Sequence, residues 1–186
     1  MVILRPTRKL RQLLPVAKVG QGVSDTALGD WYVNRVVVKH HPLLILVSSA
    51  SLLPLLVPAR AVRGLPARLS GIVKTRLARF GVPARMIAAE EEAMATVIIQ
   101  PTLDRSIVGI MVEFARALPY HPAFGQFDET SLASVEDWLA ETPCHAGGRD
   151  EDVVFPDRRA PELLRQKWAG QPLAATRITG PGNPAH

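Results

Sequence analysis

The sequence predicts a single α/β domain on a mixed sheet of four or five strands, with an α+β arrangement as the alternative. Three observations predict it. Short runs rich in Val, Ile and Leu alternate with longer segments whose apolar residues recur at helical spacing. The 186 residues suffice for one packed core and fall short of two. An apolar fraction of 47% and a mean hydropathy of +0.11 are those of a globular chain.

In order, residues 2–4 read as a first strand, and Thr7 as the N-cap of a helix reaching Leu14, with Leu10, Leu13 and Leu14 on its apolar face. Residues 17–29 carry Gly20, Gly22, Ser24, Asp25 and Gly29 and read as a loop. Strands follow at 31–39, 43–48 and 53–57. The turn His40–His41–Pro42 makes the first two a hairpin, and the unbroken apolar character of the later pair implies burial on both faces.

Helices are predicted at 66–80, with Leu69, Ile72, Val73 and Leu77 inward, and at 83–94. Residues 96–100 form a further strand. Helices then cover 105–118, buried through Ile107, Ile110, Met111 and Phe114, and 131–141, buried through Leu132, Val135, Trp138 and Leu139. Residues 145–157 read as loop and 161–168 as a last short helix. The domain so defined spans 1–168, and 169–186, rich in Gly, Pro and Ala, reads as a mobile tail.

The most apolar run, 42–58, is shorter than the ~20 residues of a spanning helix and is broken by Ser48, Ser49, Ser51 and Pro54. Two buried strands explain it, and no membrane contact is expected. The first 24 residues hold five Lys/Arg and no acid, yet no continuous apolar stretch or small-residue cleavage site that would mark a secretory signal. One cysteine, Cys144, makes no internal disulfide, and the expected compartment is the cytoplasm.

Charge is unevenly placed. Residues 1–89 hold 14 Lys/Arg against Asp25 and Asp30, a balance of +12, whereas 90–186 are at −7. Two halves that fold against each other and neutralise locally would account for this. The sharper reading is a basic face, made by Arg8, Lys9, Arg11, Arg68, Lys74 and Arg79, for nucleic acid or an acidic protein partner.

Signatures of phosphate-loop, zincin, dithiol and nucleophile-elbow chemistry are absent, and no cofactor or metal is implied. Gly20–Gln21–Gly22 lacks the third glycine and the preceding strand of a dinucleotide loop. Cys144–His145 and His40–His41 are sequence neighbours that point apart on a strand, so Cys144 reads as structural and the histidines cannot share a metal. Asp157, Glu162 and Lys167 miss the nuclease pattern, because Arg165 stands where a carboxylate is needed. In the stretch 100–109, Thr102 or Asp104 caps a helix, and Arg105 and Ser106 in its first turn could meet an anion. Trp31 and Tyr32 point to opposite faces, one to the core and one outward, where an exposed ring beside Arg35 could stack on a base.

These stretches resemble an uncharacterised bacterial domain-of-unknown-function family with a start like RCTxKLLKRL, then GDWYANLLF, an apolar strand pair ending in VP, NRSVLGxMNDF and LAETPC. Matching residues here are Leu4-Arg-Pro-Thr-Arg-Lys-Leu10, Gly29-Asp-Trp-Tyr-Val-Asn34, Leu55-Leu-Val-Pro58, Asp104-Arg-Ser-Ile-Val-Gly-Ile-Met111 and Leu139-Ala-Glu-Thr-Pro-Cys144. Asp104 replaces the family Asn, and Val112–Glu113 its Asn-Asp. The resemblance implies a shared fold and a polar set of Thr7, Lys9, Asp30, Trp31, Asn34, Arg105, Ser106, Glu141 and Thr142, without an assigned activity.

Three functions are therefore expected to compete. The first is a binding module on the basic half. The second is a small hydrolase or nuclease around Asp30, Asn34, Asp104, Arg105 and Glu141. The third is a self-associating structural protein.

Overall fold

The β-branched and leucine-rich runs form the centre of the molecule in the computed structural model, which describes residues 1–14, 22–124, 128–145 and 153–170. Five strands make one mixed sheet: β1 (Val2–Pro6), β2 (Trp31–Val38), β3 (His41–Ser48), β4 (Pro54–Pro58) and β5 (Val97–Ile99), in the order β4-β3-β2-β1-β5. β1 is parallel to both β2 and β5, and the β2-β3-β4 meander is antiparallel.

Helices cover both faces. Leu4, Trp31, Val33, Leu44, Leu46 and Leu55 pack on α2 (Leu65–Arg79), α3 (Ala84–Ala93) and α6 (Pro156–Trp168). Tyr32, Ile45, Val47 and Leu56 pack on α4 (Arg105–Ala117) and α5 (Glu129–Ala140). Each fully buried Leu, Ile or Val contributes about 1.5–3 kcal/mol to this double core. The two-sided cover also corrects one expectation. Trp31 and Tyr32 do point to opposite faces, but both are buried, at 0% and 3% exposure, so no aromatic ring stands free beside Arg35.

Turns depart from the sequence reading in small ways. The β2–β3 register pairs Val38 with His41, so the hairpin turns on Lys39–His40, and His41 and Pro42 already belong to β3. Both turn residues have positive φ (47° and 70°), as a two-residue turn that matches the strand twist requires. Gly29 sits at φ +73°, and a Cβ there would lie 2.4 Å from Ser49 Oγ, so only glycine fits before Asp30.

Helix ends differ too. The first helix, α1 (Arg8–Arg11), is a single turn; Leu10 and Leu14 are buried but Leu13, expected inward, is half exposed. Thr7 takes the N-cap position without a side-chain cap bond. The last helix begins at Pro156, with Pro161 inside it, because Ala160, Leu164 and Trp168 form one buried stripe across both prolines. Part of the predicted 145–157 loop is a two-stranded ribbon, β6 (Cys144–His145) with β7 (Val153–Val154), too short to leave a periodic signal. The glycine loop at Gly20–Gln21 and the tail at 171–186 lie outside the described residues.

The outer edge of β4 is closed by its own sequence. Leu56 N–H points away from β3 and donates to Glu136 Oε1 of α5 at 2.7 Å. Pro54 and Pro58, two residues to either side, share that orientation and have no N–H. No donor is left along that edge.

Candidate functional site

At the carboxyl end of β1 the chain turns directly into α1, beside the middle of β2. Thr7 N–H donates to Val33 O at 3.0 Å, and Thr7 Oγ1 donates to Asn34 Oδ1 at 3.1 Å. This pair floors a cleft of about 510 Å³ walled by Leu10 and Leu13 and rimmed by Arg8, Lys9 and Arg35. Arg8, Lys9, Arg11 and Arg35 are exposed, and none makes an ion pair with another described residue. The lining offers cations, a hydroxyl and an amide, and no carboxylate or imidazole. Such a set has the chemistry that suits an anion.

Most of the remaining predicted polar set serves the fold, whereas Arg105 and Glu141 stand exposed. Arg5, opposite Tyr32 in register, is 6% exposed. It donates to Asp30 Oδ2 at 2.5 Å and to Pro101 O at 2.8 Å. The other Asp30 oxygen accepts from Ser24 at 2.6 Å, and Asp30 N–H donates to Ser49 Oγ. Arg5 and Asp30 together thus tie β1, the turn before β2 and the β5–α4 connection. Trp31 is core.

Asp104 is the N-cap of α4, accepting from Ser106 N–H and Oγ at 2.7 and 2.6 Å. Those bonds hold its carboxyl below the usual carboxylate range. Its own N–H donates to the Tyr32 hydroxyl at 3.2 Å, and Thr102 Oγ1 donates to Pro6 O at 3.1 Å. Arg105 is exposed at the start of α4 and makes no ion pair with another described residue. Glu141 is exposed at the end of α5, and Thr142 Oγ1 donates to Trp138 O. Among the described residues, no hydrogen bond or ion pair joins Glu141 to Asp30 or Asp104.

The basic residues of α2 have a different fate. Lys74 pairs with Glu91 at 2.9 Å. Arg76, 1% exposed, pairs with Asp137 and donates to Glu136 O, while its guanidinium lies over the Phe80 ring at 4.3 Å. Arg79 bonds Glu136 at 3.1 Å, Asp137 at 2.6 Å and Ala133 O at 2.8 Å. Burial pushes Glu136 up against the pull of Leu56 N–H and the two guanidiniums. Partial burial also pushes Asp137 up, but Arg79 and Arg76 hold it below its ordinary value. Only Arg68 of the predicted α2 cations is exposed without an ion pair among the described residues.

Cys144 is buried and His145 exposed, as neighbours on a strand should be. Burial, with Glu113 nearby, pushes the thiol up to about 11, so it is not a thiolate near neutral pH. Among the described residues no group of three His, Cys, Asp or Glu is placed to hold a metal, and no helix is long and apolar enough to cross a membrane.

Sequence reasoning missed Arg5, Arg76, Glu90 and Glu136. For the two arginines the signal was a charged residue inside an apolar stripe: Arg5 follows Val2-Ile-Leu4, and Arg76 falls among Leu69, Val73 and Leu77.

Fold and cleft together define a layered mixed-sheet α/β domain with an open cationic cleft at the end of a parallel central strand. The chain belongs to the family described as domain of unknown function (DUF6933), which matches residues 3–159. That match bears out the resemblance to a family of unassigned function. No curated protein and no solved structure matches it.

Proposed function

We propose that this protein is a cytoplasmic binding module that holds a polyanionic partner in the β1–α1 cleft, with nucleic acid as the leading partner and an acidic protein as the alternative. The carrying observation is that Arg8, Lys9 and Arg35 line the cleft over the Thr7–Asn34 floor, with Arg11 exposed on the same turn, and none of the four meets an acid among the described residues, while Lys74, Arg76 and Arg79 pair with Glu91, Glu136 and Asp137. Phosphate contacts by such cations supply affinity without reading sequence. The absence of an exposed aromatic ring at the cleft argues for backbone contact over base stacking. A lone buried cysteine suits a reducing compartment.

Fluorescence anisotropy with labelled RNA and DNA tests this at about 50 and about 200 mM salt. Four phosphate contacts predict a loss of roughly a hundredfold in duplex affinity over that range. Arg8→Glu with Lys9→Glu should abolish binding without lowering the melting temperature. Competition by polyglutamate, with no nucleic-acid binding at low salt, would replace nucleic acid by an acidic protein. Binding that survives the double charge reversal would end the reading.

A further inference from the structure

A second cleft, of about 860 Å³, opens on the β4 edge between α2 on one face of the sheet and α5 on the other. We propose that it binds a small amphipathic anion, a carboxylate, sulfonate or phosphate carried on an apolar body, with Arg60 and Arg68 as its charge-recognising residues.

The balance of charge in the walls decides the sign of the ligand. Three carboxylates line the cleft, and each is already held: Glu91 by Lys74, Asp128 as the N-cap of α5 by Ser131 N–H at 2.7 Å, and Glu136 by Leu56 N–H and Arg79. Arg79 is in turn consumed by Glu136, Asp137 and Ala133 O. Arg60 and Arg68 are exposed at the mouth and make no ion pair with another described residue. Among the described residues Asp128 is the one lining carboxylate met by no cation, against the two unpaired guanidiniums of Arg60 and Arg68, so the net charge facing the opening is positive. Beneath it Leu56 and Leu132 give an apolar floor, and the volume lies in the range of small-molecule sites. The closed β4 edge offers no donor to an incoming strand, so an extended peptide adding to the sheet does not fit there.

Gly71 points the same way from an independent direction. It stands inside α2, where glycine is worse than alanine by about 0.5–1 kcal/mol. A Cβ built on it meets nothing within 4 Å, so neither packing nor backbone geometry requires the glycine. Gly71 lines the cleft, and a side chain there would grow into the space the ligand needs.

Titration of the full chain with anilinonaphthalene sulfonate, an amphipathic anion, tests the proposal by fluorescence. The wild type should show saturable binding at one site. Arg60→Ala with Arg68→Ala should weaken it by about tenfold or more, the effect of losing charge-assisted contacts. Gly71→Leu should also weaken it while holding or raising the melting temperature, which separates blocked space from lost folding. Arg116→Ala, an exposed cation of α4, controls for net charge. No saturable binding by the wild type overturns the proposal, as does unchanged affinity in either cleft variant when far-ultraviolet circular dichroism matches wild type.

Discussion

Two basic segments of similar composition have opposite fates in this fold. The α2 cations Lys74, Arg76 and Arg79 meet Glu91, Glu136 and Asp137 from the acidic half, so part of the charge asymmetry is neutralised by packing. The α1 and β2 cations Arg8, Lys9, Arg11 and Arg35 meet no acid among the described residues. The difference lies in placement. Arg76 and Arg79 reach around the sheet edge to α5, whereas α1 is a single turn at the end of β1, with a polar floor beneath it. Net charge alone does not tell a binding surface from an internal clasp.

Removing the most buried cation should separate the two segments most sharply. Arg76→Met leaves the buried Glu136 and the half-exposed Asp137 to share Arg79 alone, and should cost about 3 kcal/mol by urea unfolding. Arg8→Ala should stay within about 0.5 kcal/mol of wild type in the same assay. Equal losses in the two variants would erase the distinction.

Next in size is Glu90, a buried carboxylate of α3 that accepts from Ala27 N–H, Leu28 N–H and Trp168 Nε1 at 2.8, 3.1 and 2.8 Å. Glu90→Met strands three buried donors and should cost at least about 2 kcal/mol. Burial raises the folded pKa above the unfolded 4.5, against those donors. The folded chain therefore keeps the proton longer, and the carboxyl's favourable contribution is complete below the unfolded value and is lost as pH rises through the folded one. The advantage of wild type over Glu90→Met should shrink as pH rises above the unfolded value of 4.5, and paired thermal melts measure that gap. A gap that widens would contradict the assignment.

The smallest effect concerns the connection beside the open cleft. Asp104→Ala removes the α4 cap and should cost about 1 kcal/mol. Asp104→Asn, which keeps a side-chain oxygen acceptor, caps nearly as well and should restore it. A loss from Asn as large as from Ala would mean the charge matters beyond capping.

Much of the fold was legible because its elements leave periodic traces. The 42–58 run, read as two strands buried on both faces, forms β3 and β4, and the stripe Ile107, Ile110, Met111 and Phe114 is the buried face of α4. What escaped was whatever depends on the opposite wall. A single sequence does not show the second helical layer that buries both Trp31 and Tyr32, and it does not set Glu90 apart from Glu91 and Glu92 before Ala27, Leu28 and Trp168 are placed around it. Thr7, Lys9 and Asn34 do gather at one cleft, whereas Asp30 is bound to Arg5 and Ser24, and Asp104 to Ser106.

The edge sequence Pro54-Leu-Leu-Val-Pro58 has a further consequence for how these molecules meet in crowded solution. Two copies brought side by side along β4 would set carbonyl against carbonyl, with no proton to share between them. The strand thus behaves like a plug without a matching socket in its own kind. Stacking of sheets into an open-ended fibril would have to begin elsewhere on the surface, or wait until Glu136 had let go of Leu56.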